Sequence, residues 1–151
     1  MIRGSHGVAV GVGAASALLL IAAGYATAID VQVTTVLAFE RGPSDVQLTQ
    51  YRPRLRRLAG YRSFRIVREE RRQSSWGRDE TFALPGGRVL RVVPKGMRDE
   101  GVLMRILLLN GAKAIVDTDV RLQNRGVMFI GERHDPESTE GALIIMVRAE
   151  E

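Results

Sequence analysis

In the second half of the chain, apolar residues recur at every second position. One such row lies between Val102 and Leu109, and the dipeptide Asn110-Gly111 separates it from a second alternating segment, Ala112 to Leu122. A period of two places successive side chains on opposite faces of a strand, and Asn-Gly favours a tight hairpin turn. The pattern predicts a β-hairpin with its even-numbered residues toward a core. The core row of the first strand is Val102, Met104, Ile106 and Leu108.

Similar short apolar segments, bounded by Gly, Pro and Asn, occur in the rest of the chain and predict further strands. They are Val31 to Phe39, Tyr61 to Val67, Thr81 to Leu84, Arg88 to Val93, Val127 to Ile130 and Ala142 to Val147. Gly86 and Gly87 provide the positive φ angles of a tight turn between two of these strands. The polar stretch from Arg68 to Gly77 is either a hairpin loop or a bulged continuation of the strand before it.

One segment has helical spacing instead. Ser44 or Asp45 can cap a helix that Gly60 ends, and the apolar residues between them recur at near-helical intervals. Pro53 removes a backbone hydrogen bond inside this pattern, so the helix is either short and kinked or begins near Pro53 itself.

Strands that recur about every eight to twelve residues are typical of antiparallel sandwiches and barrels. The predicted fold is therefore mainly β: a single antiparallel β-sandwich or barrel-like domain of about eight strands with one short N-terminal helix. No linker divides the chain, and no repeat of about 20 to 50 residues is present in the sequence.

The first 28 residues predict an export signal. Arg3 supplies a positive charge, Val8 to Gly24 is apolar, and Ala26-Thr27-Ala28 has small residues where a signal peptidase cuts. The alternative is an uncleaved anchor, because about 17 apolar residues is the short end of what spans a bilayer. We expect a signal peptide at residues 1–28, a β-sandwich domain at residues 29–151, and a periplasmic or extracellular location.

Composition narrows the chemistry of the chain. With no cysteine among its 151 residues, it has no thiol for a lipid anchor, a disulfide, thiolate catalysis or a Cys-based zinc site. A domain of about 120 residues is long enough to bury a core without cross-links. We therefore expect a domain held together by packing and backbone pairing.

Arginines are concentrated in one part of a chain whose net charge is +5. Between Arg52 and Arg72 only Glu69 and Glu70 offset them. Such a patch either binds a polyanion, such as lipopolysaccharide or an acidic polysaccharide, or is a solvated face. The candidate polyanion-binding residues are Arg52, Arg54, Arg56, Arg57, Arg71 and Arg72.

Residues suited to catalysis are few. Asp117 and Asp119 share one face of a predicted strand about 7 Å apart, a spacing within the range of inverting glycosidases. Outward-facing strand residues of this kind are more often solvated partners of basic neighbours. His134 is the only histidine apart from His6, so any catalytic triad would have to use it as the base. We predict no catalytic residue, no metal site and no cofactor.

Candidate partner-binding residues lie on the predicted strand after Gly101 and in the loop from Gly131 to Gly141. Most odd positions of that strand are apolar as well as the even ones, so it is either covered on both sides, for example by the helix, or offers an interface. The loop combines acidic residues with a histidine. The candidates are Leu103, Leu107, Leu109, Glu132, His134 and Asp135.

Several short segments of the sequence resemble those of a family of uncharacterised exported β-rich proteins of Gram-negative bacteria. They are Val36-Leu37-Ala38, the basic helix, Tyr61-Arg62-Ser63-Phe64, Leu84-Pro85-Gly86-Gly87-Arg88, Val116-Asp117-Thr118, Phe129-Ile130-Gly131 and Gly141-Ala142-Leu143-Ile144-Ile145. The resemblance implies an envelope β-sandwich and carries over no catalytic residue. The loop after Ile130 departs from the pattern, because it is expected to be shorter and richer in glycine.

These features together predict a non-enzymatic envelope protein that binds another protein, as an accessory or structural subunit of a larger assembly, or that forms a homo-oligomer. The alternative is a polyanion-binding module that uses the basic cluster. A hydrolase acting through Asp117, Asp119 or His134 comes third. Nucleic acid is not an expected partner, and membrane contact is expected only through the N-terminal segment if it stays uncleaved.

Overall fold

The computed structural model describes residues 28–131 and 141–151. Eight strands follow one another in this part of the chain: β1 (Ala28–Phe39), β2 (Ser63–Ser75), β3 (Glu80–Ala83), β4 (Arg88–Arg98), β5 (Gly101–Asn110), β6 (Lys113–Gln123), β7 (Val127–Gly131) and β8 (Ala142–Glu150). A 3₁₀ segment, Val46–Tyr51, leads into the short helix α1 (Arg52–Ala59) between β1 and β2. The predicted mainly β fold with about eight strands and one short helix is confirmed.

The strands form two antiparallel sheets of four. Sheet A has the order β2-β1-β8-β7, and sheet B has the order β3-β4-β5-β6. Buried residues from both sheets meet in one cluster, so the sheets face each other in a sandwich-like arrangement. The even-numbered row of β5 belongs to this cluster as predicted, and Val116, Val120 and Leu122 of β6 pack against it.

A second buried cluster lies on the other side of sheet A. Leu48 of the 3₁₀ segment and Leu55 and Ala59 of α1 pack there with Val36 of β1 and Ile144 of β8. Sheet A is therefore apolar on both faces along part of its length, which is why β8 reads as a nearly continuous apolar run.

The helix begins next to Pro53, which was one of the two alternatives that the sequence offered. Pro53 lies in its first turn, where a missing backbone N–H removes no helical hydrogen bond. Gly60 ends it with a φ of 74°, and its N–H donates to the carbonyl oxygen of Arg56. A left-handed glycine at this position is a common helix stop.

Four strands are clearly longer than the sequence pattern predicted. β1 begins at Ala28, β4 continues to Arg98, β8 continues to Glu150, and β2 runs through the polar stretch that offered a loop as one alternative. Thr35 pairs with Arg68 whereas Val36 pairs with Ile66, so β2 contains a bulge. The continuation through a bulge was the correct alternative for this stretch.

Two predicted features lie outside the described residues. The predicted signal peptide, except for Ala28, falls in residues 1–27, and the predicted binding residues Glu132, His134 and Asp135 fall in residues 132–140. No helix in the part of the chain that the structure describes is long and apolar enough to cross a membrane.

Candidate functional site

The outer side of sheet B carries apolar residues in its middle. Leu103, Leu107 and Leu109 alternate with the buried residues of β5 and are half-buried, and the half-buried Val89 and Val93 are on neighbouring β4. We call these five residues the leucine face. The helix packs on sheet A instead, and no other described element covers the leucine face. Of the two alternatives that the sequence offered for β5, the structure therefore supports an open face.

Ion pairs lie within and beside the leucine face. Arg105 of β5 donates from Nε and from a terminal nitrogen to the two carboxylate oxygens of Asp117, at 3.0 and 2.9 Å. This bidentate bond lowers the pKa of Asp117, and the same bond raises the pKa of Arg105. The pairs within and beside the face are Arg91 with Asp79, Lys95 with Asp119, and Arg105 with Asp117.

A shallow hollow of about 80 Å³ lies in the middle of this surface. Arg91 and Arg105 form two of its walls, and Val93 and Leu107 form the others. Because each guanidinium is held by an aspartate, the two arginine stems lie in defined positions beside the apolar residues. The ion pairs therefore lie among the apolar residues of this surface and hold the two arginine stems beside them.

The paired carboxylates considered for catalysis belong to these ion pairs. Asp117 and Asp119 do lie on the same side of β6, as their spacing predicted, and each is bound by a cation. A carboxylate with a lowered pKa is a poor proton donor. His134, the candidate base, lies outside the described residues. Among the described residues there is no group of three or more His, Asp or Glu that could hold a metal ion.

The predicted arginine cluster is divided between two places. Arg72 stacks over the ring of Phe82 at 4.4 Å, forms ion pairs with Glu70 and Glu80 at 2.8 and 3.7 Å, and donates to the carbonyl oxygen of Thr81. It thereby links β2 of sheet A to β3 of sheet B. Its neighbour Arg71 points to the other side of β2.

Arg71 is also occupied by a carboxylate. One of its terminal nitrogens lies 2.5 Å from a carboxylate oxygen of Asp30, and this contact raises the pKa of the guanidinium. The two β2 arginines proposed for polyanion binding are therefore ion-paired within the molecule.

The arginines of α1 have a different environment. None of them forms an ion pair with a described residue, and no acidic residue lies between Val46 and Arg68. Arg54 lies over the ring of Phe129 at 5.8 Å, and Arg57 donates to the carbonyl oxygen of Pro53. We call this set the helix arginines: Arg52, Arg54, Arg56 and Arg57.

A third surface was not predicted from the sequence. Beyond the 3₁₀ segment, the outer side of sheet A is uncovered by described elements and contains two adjoining cavities of about 120 and 210 Å³. Gln32 and Arg148 line both, and we call the combined depression the trough. The only sequence signal is that Arg148 interrupts the apolar run of β8.

The two ends of the trough differ in polarity. The end next to the 3₁₀ segment, which we call the apolar end, has the apolar walls Leu48, Tyr51, Ile66, Val127 and Met146, beside the polar Thr34, Gln47 and Glu69. The other end is lined by Asp30, Arg71 and Glu150 in addition to the two shared residues. Strand pairing sets this layout, because Gln32 of β1 pairs with Arg71 of β2 on one side and with Arg148 of β8 on the other.

Comparison with known proteins finds no matching family model, no matching curated protein and no matching solved structure.

Proposed function

We propose that the chain is a non-enzymatic protein of the cell envelope that binds another protein through the leucine face, as an accessory or structural subunit of an assembly. The supporting observation is the half-exposed apolar centre of sheet B. One face of an antiparallel sheet is commonly solvated and then carries mainly polar residues. Here the central strands β4 and β5 carry apolar residues on both faces.

The ion pairs of the leucine face fit the same interpretation, because arginine is enriched in protein interfaces. Arg91 and Arg105 present apolar stems to the hollow while their charged ends are held by Asp79 and Asp117. A partner therefore meets side chains that are already ordered, which lowers the entropy lost on binding.

The proposed location rests on the N-terminal pattern. We place the β-sandwich at residues 29–151 in the periplasm or outside the cell, after a signal peptide at residues 1–28. Apolar residues from Val8 to Gly24 followed by Ala26-Thr27-Ala28 support cleavage there.

The test is the size of the native complex formed by a tagged protein in its own cells. Leu107→Glu places a charge in the centre of the leucine face, and Val67→Glu is the matched control on β2, where the native side chain is 46% exposed. We expect the native protein and Val67→Glu to elute in a complex, and Leu107→Glu to elute as the free protein. A native protein that elutes as a monomer, or a Leu107→Glu variant that stays in the complex, contradicts the proposal.

A second candidate function is polyanion binding, and the helix arginines are the observation that favours it. Replacing Arg56 and Arg57 by Ser is expected to lower the salt concentration at which the protein elutes from immobilised heparin, because phosphate or sulfate contacts are salt-dependent. Replacing Arg71 and Arg72 by Ser is the comparison, since both are ion-paired internally. Equal shifts for the two double variants contradict a site on α1.

A further inference from the structure

We propose that the trough on sheet A is a binding site for a small amphipathic carboxylate. The carboxylate group binds Arg148, and the apolar group of the ligand lies against Tyr51 and Met146. This site is on the sheet opposite the leucine face and does not depend on the proposed protein-binding function.

Arg148 is the residue that indicates an anionic group. Its side chain forms no hydrogen bond or ion pair with any described residue, and its Nε is buried without a partner. Buried donors in proteins are nearly always paired, so an unpaired one requires an explanation. A guanidinium offers two parallel N–H donors that match the two oxygens of a carboxylate.

The acidic residues around Arg148 are already engaged. Asp30 is bound by Arg71 at 2.5 Å, and Glu150 is bound by Arg125 at 2.9 Å. Glu69, at the other end, accepts hydrogen bonds from Gln32 and Thr34. Arg148 is therefore the one cation of the trough that has no carboxylate partner among the described residues.

The apolar end of the trough sets the size of the other half of the ligand. Its volume of about 120 Å³ is somewhat smaller than the roughly 150 Å³ of an engineered cavity that holds benzene. Because this end is open on one side, it takes a ring or a short alkyl group that is joined to the charged group. The two ends meet at Gln32 and Arg148.

The charge of the surroundings favours a carboxylate over a phosphate. Glu69 lines the trough and is bound by the neutral donors Gln32 and Thr34, so its charge repels a dianion about twice as strongly as a monoanion. A singly charged planar group pairs with Arg148 at the smallest electrostatic penalty.

The test measures the binding of three probes to the purified protein by calorimetry or by NMR: 4-phenylbutyrate, the uncharged 4-phenylbutanol, and 4-phenylbutylphosphonate. We expect saturable binding of 4-phenylbutyrate with a Kd of about 1 mM or tighter, as is reasonable for a ligand of this size. The alcohol and the phosphonate are each expected to bind about tenfold more weakly. Absence of saturable carboxylate binding, or a preference for the alcohol or the phosphonate, overturns the proposal.

Two variants locate the site. Arg148→Gln is expected to weaken 4-phenylbutyrate binding about tenfold and to leave 4-phenylbutanol binding unchanged, because only the charged group contacts the guanidinium. Gln47→Trp fills the apolar end from an exposed position and is expected to weaken both probes. Arg98→Gln, in the β4–β5 hairpin of sheet B, removes the same charge elsewhere and should change neither.

Thermal unfolding of each variant establishes that it is folded before binding is compared. A folded Arg148→Gln protein that binds 4-phenylbutyrate as tightly as the native one overturns the assignment of the carboxylate to Arg148. Unchanged binding by a folded Gln47→Trp protein overturns the assignment of the apolar end.

Discussion

At the scale of single residues, two groups of arginines differ in their surroundings. Arg91 and Arg105 of sheet B and Arg72 of β2 are held by carboxylates. The helix arginines and Arg148 form no ion pair with a described residue. The ion pairs of the first group hold their arginine side chains in fixed positions, on the outer side of sheet B and between the two sheets. The second group retains charge that is available to a ligand.

The pair formed by Arg105 and Asp117 predicts a dependence of stability on pH. The pKa of Asp117 lies below its ordinary value of 3.8 because Arg105 binds the ionised form. The folded protein therefore binds this proton less readily than the unfolded chain, so the stabilisation is complete at neutral pH and is lost as the pH falls through the lowered pKa.

We expect Asp117→Asn to be less stable than the native protein at pH 7, with a small difference because the pair is exposed to solvent. Urea denaturation at a series of pH values measures this difference. The two stability curves should converge as the pH falls below 3.8. A difference that stays constant across that range contradicts the assigned interaction.

The turn between β4 and β5 holds two residues in an unfavourable conformation. Asp99 and Glu100 have φ angles of 50° and 63°, and a side chain at such angles costs roughly 1–2 kcal/mol relative to glycine. Glu100→Gly is expected to raise the free energy of unfolding by about 0.5–1 kcal/mol, since glycine also gains freedom in the unfolded chain. Chemical denaturation measures the change. Glu100→Ala is the control, and an equal gain from Ala would show that backbone conformation is not the cause.

At the scale of elements, local signals predicted some boundaries well. Pro53 and Gly60 bound α1 by rules that act within one helical turn, and Asn110 with Gly111 marks the β5–β6 hairpin by turn chemistry. The Asp99-Glu100 turn carries neither glycine nor asparagine, so its sequence gave no comparable signal and the end of β4 was missed.

The polar half of β2 could not be identified as strand from its own residues alone. Period-two alternation is recognised when one face is apolar, whereas Glu70 and Arg72 of β2 are charged. Arg72 binds Glu80 and Thr81, which belong to β3 on the other sheet. This half of β2 is therefore stabilised by contacts with distant parts of the chain, which its own sequence pattern does not indicate.

This link between the sheets gives an element-scale prediction. Arg72→Ala removes an ion-pair partner of Glu80, whose side chain is 10% exposed, and should lower the free energy of unfolding by about 1.5 kcal/mol. Arg71→Ala, on the outward side of the same strand, should have a smaller effect because its pair with Asp30 is more exposed. Urea denaturation of both variants measures the difference. Equal losses would contradict a structural role that is specific to Arg72.

At the scale of the whole molecule, the two sheets present different outer surfaces. The outer side of sheet A is partly covered by α1, and its uncovered part contains the trough. The outer side of sheet B carries the leucine face, which no described element covers. The orientation of Leu103, Leu107 and Leu109 followed from the alternation of β5. The alternation did not predict that this face is uncovered. That depends on the three-dimensional path of the chain, which places α1 on the opposite sheet. The trough likewise depends on the pairing of β1 with β8, two strands from opposite ends of the described chain.

Site-specific photo-crosslinking in the native cells tests the central claim most directly. A photoreactive side chain at Leu107 lies in the leucine face, and one at Val67 on β2 is the control at a partly exposed apolar position of sheet A. We predict that Leu107 gives one discrete product, of the same mass in repeated preparations, and that Val67 gives none. No product at Leu107, or the same product from both positions, would contradict a protein-binding role for this face.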